Sequence, residues 1–178
     1  MANLINADPT NGLKLISDSS SEIQLQANGV TKATLSSAGF SSPGHVLQVV
    51  QGSFTGVSST TSTSMVSTSL NASITPTSSS SKILVLVAGT TASNTLNAAS
   101  LVTIYRGATN LASNNQFAFH GNPVSGLNNW ESLSMTYLDT PSTTSSTTYT
   151  VYLQSTSGTA YFGTGSNTNT ITLLEIAG

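Results

Sequence analysis

Apolar and polar residues alternate over short runs along most of this chain, and no stretch follows an amphipathic helical period. In Glu22-Ile-Gln-Leu-Gln-Ala, the side chains of Ile23, Leu25 and Ala27 fall on one face and polar ones on the other. A period of two marks a half-buried strand. Asn28-Gly29 follows at once and leads into Val30-Thr-Lys-Ala-Thr-Leu. Asn-Gly between alternating runs signals a hairpin, because a type I′ turn needs positive φ at both central positions. With Gly12-Leu-Lys-Leu-Ile-Ser as a further strand, residues 1–43 are expected to form a short β-meander arm, and Ser41-Ser-Pro-Gly44 reads as its joint to the rest. Three short strands with so few large apolar residues hardly stand alone, so this arm must lie on something.

Beyond the joint, strands are expected near His45–Thr55, Ser62–Ile74, Lys82–Thr91, Leu101–Tyr105, Trp130–Leu138, Tyr149–Gln154, Ala160–Gly163 and Thr170–Ile176. Thr75-Pro-Thr-Ser-Ser-Ser-Ser, Arg106-Gly107, Gly121-Asn-Pro and Asp139-Thr-Pro supply the turns between them. The expected fold is all-β: an antiparallel β-sandwich over residues 44–178, with the strand count of a jelly roll. Lys82-Ile-Leu-Val-Leu-Val-Ala is apolar on both faces, which places it centrally and calls for a second cover, such as a subunit interface.

Composition changes the picture in one respect. Sixty of the 178 residues are Ser or Thr, and only 6% carry a charge, against about a quarter in an average soluble domain. The surface is therefore neutral, polar and β-prone. Exposed strand edges are usually guarded by charges, and four cations cannot guard many. An oligomer or a closed sandwich would hide those edges instead. Five of the ten charges (Asp8, Lys14, Asp18, Glu22, Lys32) fall in the first 43 residues. The lack of a basic cluster argues against nucleic-acid binding. No apolar run approaches the roughly 20 residues of a membrane-spanning helix, and there is no cysteine for disulfides.

Catalytic chemistry finds little support. The chain has two histidines, His45 and His120. A Ser-His-Asp set could be drawn through His120 and Asp139, but with so many serines the match carries no information, and no Gly-x-Ser-x-Gly elbow occurs. Two histidines and no cysteine do not make a zinc site, and no phosphate-binding or dinucleotide fingerprint is present. We expect no enzyme activity and no cofactor. Glu175, within Leu173-Leu-Glu-Ile, is expected to pair locally with Arg106 or Lys82. Phe117–Trp130 is the stretch where recognition could reside. Phe119, His120, Asn122, Asn128, Asn129 and Trp130 surround a Gly/Pro loop, and such aromatics and amides could stack on and bond a sugar. The alternative is that its large aromatics pack in the core or an interface.

Thr75-Pro-Thr-Ser-Ser-Ser-Ser-Lys-Ile-Leu-Val-Leu-Val, Thr103-Ile-Tyr-Arg-Gly-Ala-Thr-Asn-Leu, Tyr137-Leu-Asp-Thr-Pro, Thr148-Tyr-Thr-Val-Tyr-Leu-Gln and Ile171-Thr-Leu-Leu-Glu-Ile together resemble a sandwich module of tailed-phage virion proteins. That module occurs in phages of aquatic bacteria, cyanophages among them, at tips of tail fibres and tailspikes and in head decoration (cement) proteins. Ile23-Gln-Leu-Gln-Ala-Asn-Gly-Val-Thr-Lys is similar to meander repeats of such proteins. The resemblance implies a homotrimer and no catalytic motif. The brevity of the segment before the sandwich favours a cement protein on the outer surface of the phage head, bound to the major capsid protein. Leu13, Lys14, Glu22, Ile23, Leu25 and Lys32 would form its capsid-docking arm. The second reading is a tail-fibre or tailspike tip that recognises host polysaccharide.

Overall fold

The computed structural model describes residues 22–37, 39–112, 116–121 and 129–178. The described residues contain fourteen β-strands and no helix, and the chain divides into two compact units, residues 1–45 and 46–178. In the first, β1 (Ile23–Ala27), β2 (Val30–Ser36) and β3 (Gly39–Ser41) form one antiparallel sheet in sequence order. Asn28 and Gly29 join β1 to β2 with φ of 53° and 74°, the two positive values that the turn requires. The third strand described here is Gly39–Ser41, which pairs with β2 on the side away from β1. The expected Gly12–Ser17 strand lies outside the described residues. The division between the units falls beside Ser41–Gly44, where Gly44 has φ of 80° and His45 donates its N–H to the Ser42 carbonyl at 2.9 Å.

The second unit is a sandwich. Its strands are β4 (Val46–Thr55), β5 (Ser58–Thr60), β6 (Val66–Ile74), β7 (Lys82–Ser93), β8 (Ala99–Arg106), β9 (Thr109–Asn110), β10 (Ala118–Gly121), β11 (Glu131–Asp139), β12 (Thr147–Ser155), β13 (Ala160–Phe162) and β14 (Thr168–Ile176). Four antiparallel pairs nest within one another along the chain: β4 with β14, β6 with β12, β7 with β11, and β8 with β10. The pairs alternate between two sheets. β14 also pairs with β7, and β12 with β8. One sheet therefore runs β4-β14-β7-β11 and the other β6-β12-β8-β10. A long hairpin rolled up in this way is a jelly roll. The eight expected strands are all present. The short strands β5, β9 and β10 extend them: β5 pairs with β13, which itself pairs with the far end of β7, and β9 pairs with the end of β8.

One boundary moved for a local reason. The strand expected from Ser62 starts at Val66. The Ser62 hydroxyl donates to the Ser64 carbonyl and accepts from the Ser64 N–H, at 2.9 and 3.0 Å. Such side-chain turns compete with the ladder. Glycine is required at position 52, because a Cβ there would overlap the Asn71 carbonyl where β4 passes over β6. That close approach joins the two sheets along one flank.

Alternation decides what lies between the sheets. Ile83, Val85, Val87, Ile171 and Leu173 from one sheet meet Leu70, Ile74, Val102, Ile104, Val151 and Leu153 from the other, all fully buried or nearly so. Each such side chain contributes about 1.5–3 kcal/mol. β7 is central, as its composition predicts. Its other face is a different matter, since Leu84 and Leu86 are half-buried and Ala88 is exposed.

The two outward faces differ. On the β4-β14-β7-β11 sheet, the register sets Leu138 opposite Leu84, Leu84 opposite Leu174, and Leu174 opposite Val49. Four aliphatic side chains thus line up across four strands, and Val49 and Leu138 are 59% and 51% exposed. Leu86 and Ile176 extend this band on the same face. On the other sheet, β6 turns Ser67, Ser69, Asn71 and Ser73 outward, all exposed. β12 adds Thr148, Thr150, Tyr152 and Gln154.

Candidate functional site

Three places in the described residues hold side chains that could act together. The first is the end of the sandwich where β10 and β11 begin and end around the Gly/Pro loop. Alternation in β10 sends Phe119 outward, 64% exposed, and turns His120 in, 3% exposed. His120 Nδ1 stands 3.0 Å from Glu131 Oε2, and its Nε2 has no partner among the described residues. Phe117 packs against the Tyr137 ring, centroids 5.3 Å apart, at the edge of the core. Trp130 is half-buried against Tyr161 at 5.8 Å, and Tyr161 accepts a hydrogen bond from Asn94 Nδ2 at 3.3 Å. Of the expected ligand-facing set, Phe119, His120, Asn129 and Trp130 are described, whereas Asn122 and Asn128 lie outside the described residues.

Tyr161 and Asn94 escape the sequence reading. Buried Ala160 and Phe162 signal that Tyr161 points outward. Its nearness to Trp130 arises because β13 and β11 both pair with the same end of β7, at Thr91.

The second place is a buried ionic cluster. Arg106 Nη1 reaches both carboxylate oxygens of Asp139 at 2.8 Å, and the Tyr149 hydroxyl donates to Asp139 Oδ2 at 2.6 Å. Asp139 is 5% exposed and Tyr149 fully buried. Burial, and then the hydrogen bond and negative charge of Asp139, push the Tyr149 phenol far above its usual range, with Arg106 opposing. The cluster ties β8, β11 and β12 together. It occupies Asp139, while His120 is paired with Glu131, so the two do not form the hydrogen-bonded pair that a triad requires.

Glu175 is the third. It pairs with neither Arg106 nor Lys82. The first is engaged by Asp139, and the second lies on the opposite, outward face of the sheet. The fully buried Glu175 carboxylate instead accepts from Gln48 Nε2 at 2.6 Å, and from the Thr77 N–H and hydroxyl at 2.7 Å each. Burial works to raise its pKa, but these donors outweigh burial and hold the carboxyl below its usual range. Gln48 also donates to the Thr75 carbonyl at 2.7 Å. The arrangement pins the Thr75–Ser81 turn to β4 and β14. Glu175 is a structural anchor.

Open concavities of about 400 Å³ occur beside Arg106, Gly107 and Thr143, and beside Met65, Tyr105 and Gln154. Hydroxyls and backbone dominate their walls. No group of three acidic, histidine or cysteine side chains that could hold a metal occurs among the described residues.

The meander unit has its own character. Leu25, Val30, Leu35 and Phe40 are between 48% and 54% exposed. Ile23, Leu35 and Phe40 stand in one row across its three strands. Gln24, Gln26 and Thr31 bond one another. Glu22 and Lys32 are exposed and Ile23 half-buried, while Leu13 and Lys14 lie outside the described residues.

No protein-family model matches the chain, and no curated protein matches it. Among solved structures, the chain is similar to the infectious bursal disease virus VP2 subviral particle, with 12% identity and a TM-score of 0.39, over 88% of this chain and 42% of that one. It is also similar to the structure of the infectious bursal disease virus Gt strain, with 11% identity and a TM-score of 0.40, over 96% of this chain and 44% of that one. The chain thus spans less than half the length of either.

Proposed function

We propose that this chain is a non-enzymatic structural protein of a phage virion, a trimeric cement protein that sits on the outer surface of the head and binds the major capsid protein. The observation that carries the reading is the meander unit. Its sheet leaves Leu25, Val30, Leu35 and Phe40 about half exposed, and three short strands in that condition gain most by docking onto another surface. The exposed Lys32 on the central strand β2 adds ion-pairing capacity. Strand addition at the edge of β1 or β3 would supply main-chain bonds. Three such arms on one trimeric body raise the effective concentration of the second and third contacts. The sandwich is then the knob, with a hydroxyl-rich surface along β6 and β12 that hydrates well and attracts little. Deleting residues 1–40 and measuring occupancy on empty capsids tests this role. Occupancy should collapse, and undiminished binding refutes it.

A second reading is favoured by one observation. Trp130, Tyr161 and Asn94 gather a half-buried indole, a phenol and an amide at the end of the sandwich, a set suited to stacking on and bonding a host polysaccharide. Under that reading the protein is a fibre or spike tip. Immunogold labelling over the head supports cement; labelling at the tail supports a tip. A glycan-array signal lost in Trp130→Ala would favour the tip.

A further inference from the structure

We infer that the outward face of the β4-β14-β7-β11 sheet is the surface through which copies of this chain bind one another. The inference rests on the oligomeric reading above and names its contact. Leu138, Leu84, Leu174 and Val49 form a continuous row across all four strands, and Leu86 and Ile176 widen it. In an ordinary antiparallel sheet the solvent face is polar, as it is along β6 and β12 of this molecule's second sheet, whose one exposed outward apolar residue among those described is Phe119 at the β10 edge. A continuous aliphatic row is therefore local to one side, and a patch of this kind marks an interaction site.

Two features single out a second copy as the occupant. The first is charge. Between its rims the face turns outward Ser132, Ser134, Thr136, Thr170, Thr172 and Gln51 around the aliphatic row, without a charged group, and Lys82 stands at one end. Identical faces can meet without burying like charges against each other, which is the usual obstacle to self-association. The second is size. Four strands about 4.8 Å apart and about nine residues long cover roughly 600 Å² of flat sheet, on the order of the roughly 800 Å² that each partner contributes to a stable interface. Among the described residues β11 pairs with β7 alone. A neighbouring copy over this face would also shield that edge from stray strand pairing.

The test is the mass of the purified full chain by multi-angle light scattering, in three forms. The wild type should weigh three times the 18.2 kDa of one chain. Val49→Lys with Leu138→Lys alters two exposed positions, so folding should survive, as circular dichroism can confirm. Its dissociation constant should rise by about 100-fold or more, since charges would be buried without partners. The control, Ser67→Lys with Ser73→Lys on the opposite face, should keep the wild-type mass. A multimeric wild type whose Val49/Leu138 variant keeps the same mass overturns the assigned face and leaves the oligomeric reading standing. A wild type that is monomeric at tens of micromolar overturns both. A monomer whose Val49/Leu138 variant loses capsid binding would give the face to the shell and likewise overturn self-association.

Discussion

The two outward faces of the sandwich are built from strands of similar length and the same pleat, yet they are solvated in opposite ways. Along β6, every outward position from Ser67 to Ser73 is a hydroxyl or an amide. Along β7, the outward positions are Leu84, Leu86 and Ala88. A hydroxyl face satisfies water and has no reason to seek a partner. An aliphatic face of the same size loses free energy for as long as it stays wet. In a chain with only 6% charged residues, low charge alone would invite contact everywhere; under the inference above, the hydroxyls along β6 and β12 and the leucines on the other sheet would make the contact selective.

The sharpest way to break the comparison is to test neighbouring residues of β14. Leu173 is fully buried between the sheets, and Leu174 points outward. Leu173→Asp should cost more than about 4 kcal/mol and abolish the folded state in thermal melts. Leu174→Asp should leave the melt of the isolated chain within about 1 kcal/mol and act on the oligomer instead. If Leu174→Asp unfolds the chain as Leu173→Asp does, the outward face is a second core and the comparison fails.

Glu175→Ala is expected to rank next. It strands the donors of Gln48 and Thr77 beside β4, at about 2–3 kcal/mol in urea unfolding. The depressed pKa of Glu175 adds a pH signature. Its stabilisation is fully present above the ordinary carboxyl pKa of about 4.3 and is lost as pH falls through the lower folded value. Acid should therefore erode the wild type and bring it closer to the Ala variant.

Tyr149→Phe removes one hydrogen bond to Asp139 and should cost about 1–1.5 kcal/mol at pH 7. Because the Tyr149 pKa is raised, its stabilisation is fully present below about pH 10 and lost above it. The wild type should weaken in alkali more than Tyr149→Phe does.

The smallest effect belongs to the hydroxyl face. Tyr105 and Tyr152 stack there with centroids 3.9 Å apart. Tyr105→Ala should cost about 1 kcal/mol or slightly more in unfolding and leave the oligomer mass unchanged, which would separate packing on this face from association on the other.

Much of the architecture is legible in the chain, because burial imposes a period of two wherever a strand has one dry side. Ile171, Leu173 and Glu175 face inward in β14, and Thr170, Thr172 and Leu174 face out. Asn28-Gly29 is legible for a different reason, since few other dipeptides accept two positive φ values. The short strands β5 and β9 are not legible. Ser58–Thr60 and Thr109–Asn110 have no apolar residue to mark a face, and they become strands only because β13 and β8 offer open ladders. The candidate sites are harder still. Glu175 meets Gln48 across 127 positions, and Trp130 meets Tyr161 through a shared strand. Such meetings are decided by topology, of which a local pattern carries no trace. The aliphatic row across the outer sheet is intermediate. Leu84 and Leu86 signal two-sided burial by themselves, but their alignment with Leu138, Leu174 and Val49 depends on register.

Hydroxyl-radical footprinting of the two faces, at concentrations above and below the association midpoint, distinguishes them in one experiment. Val49, Leu84, Leu138 and Leu174 should become protected as concentration rises, while Tyr105 and Tyr152 should react equally throughout. Equal reactivity of both faces at every concentration, or protection confined to the tyrosine face, would contradict the inferred contact.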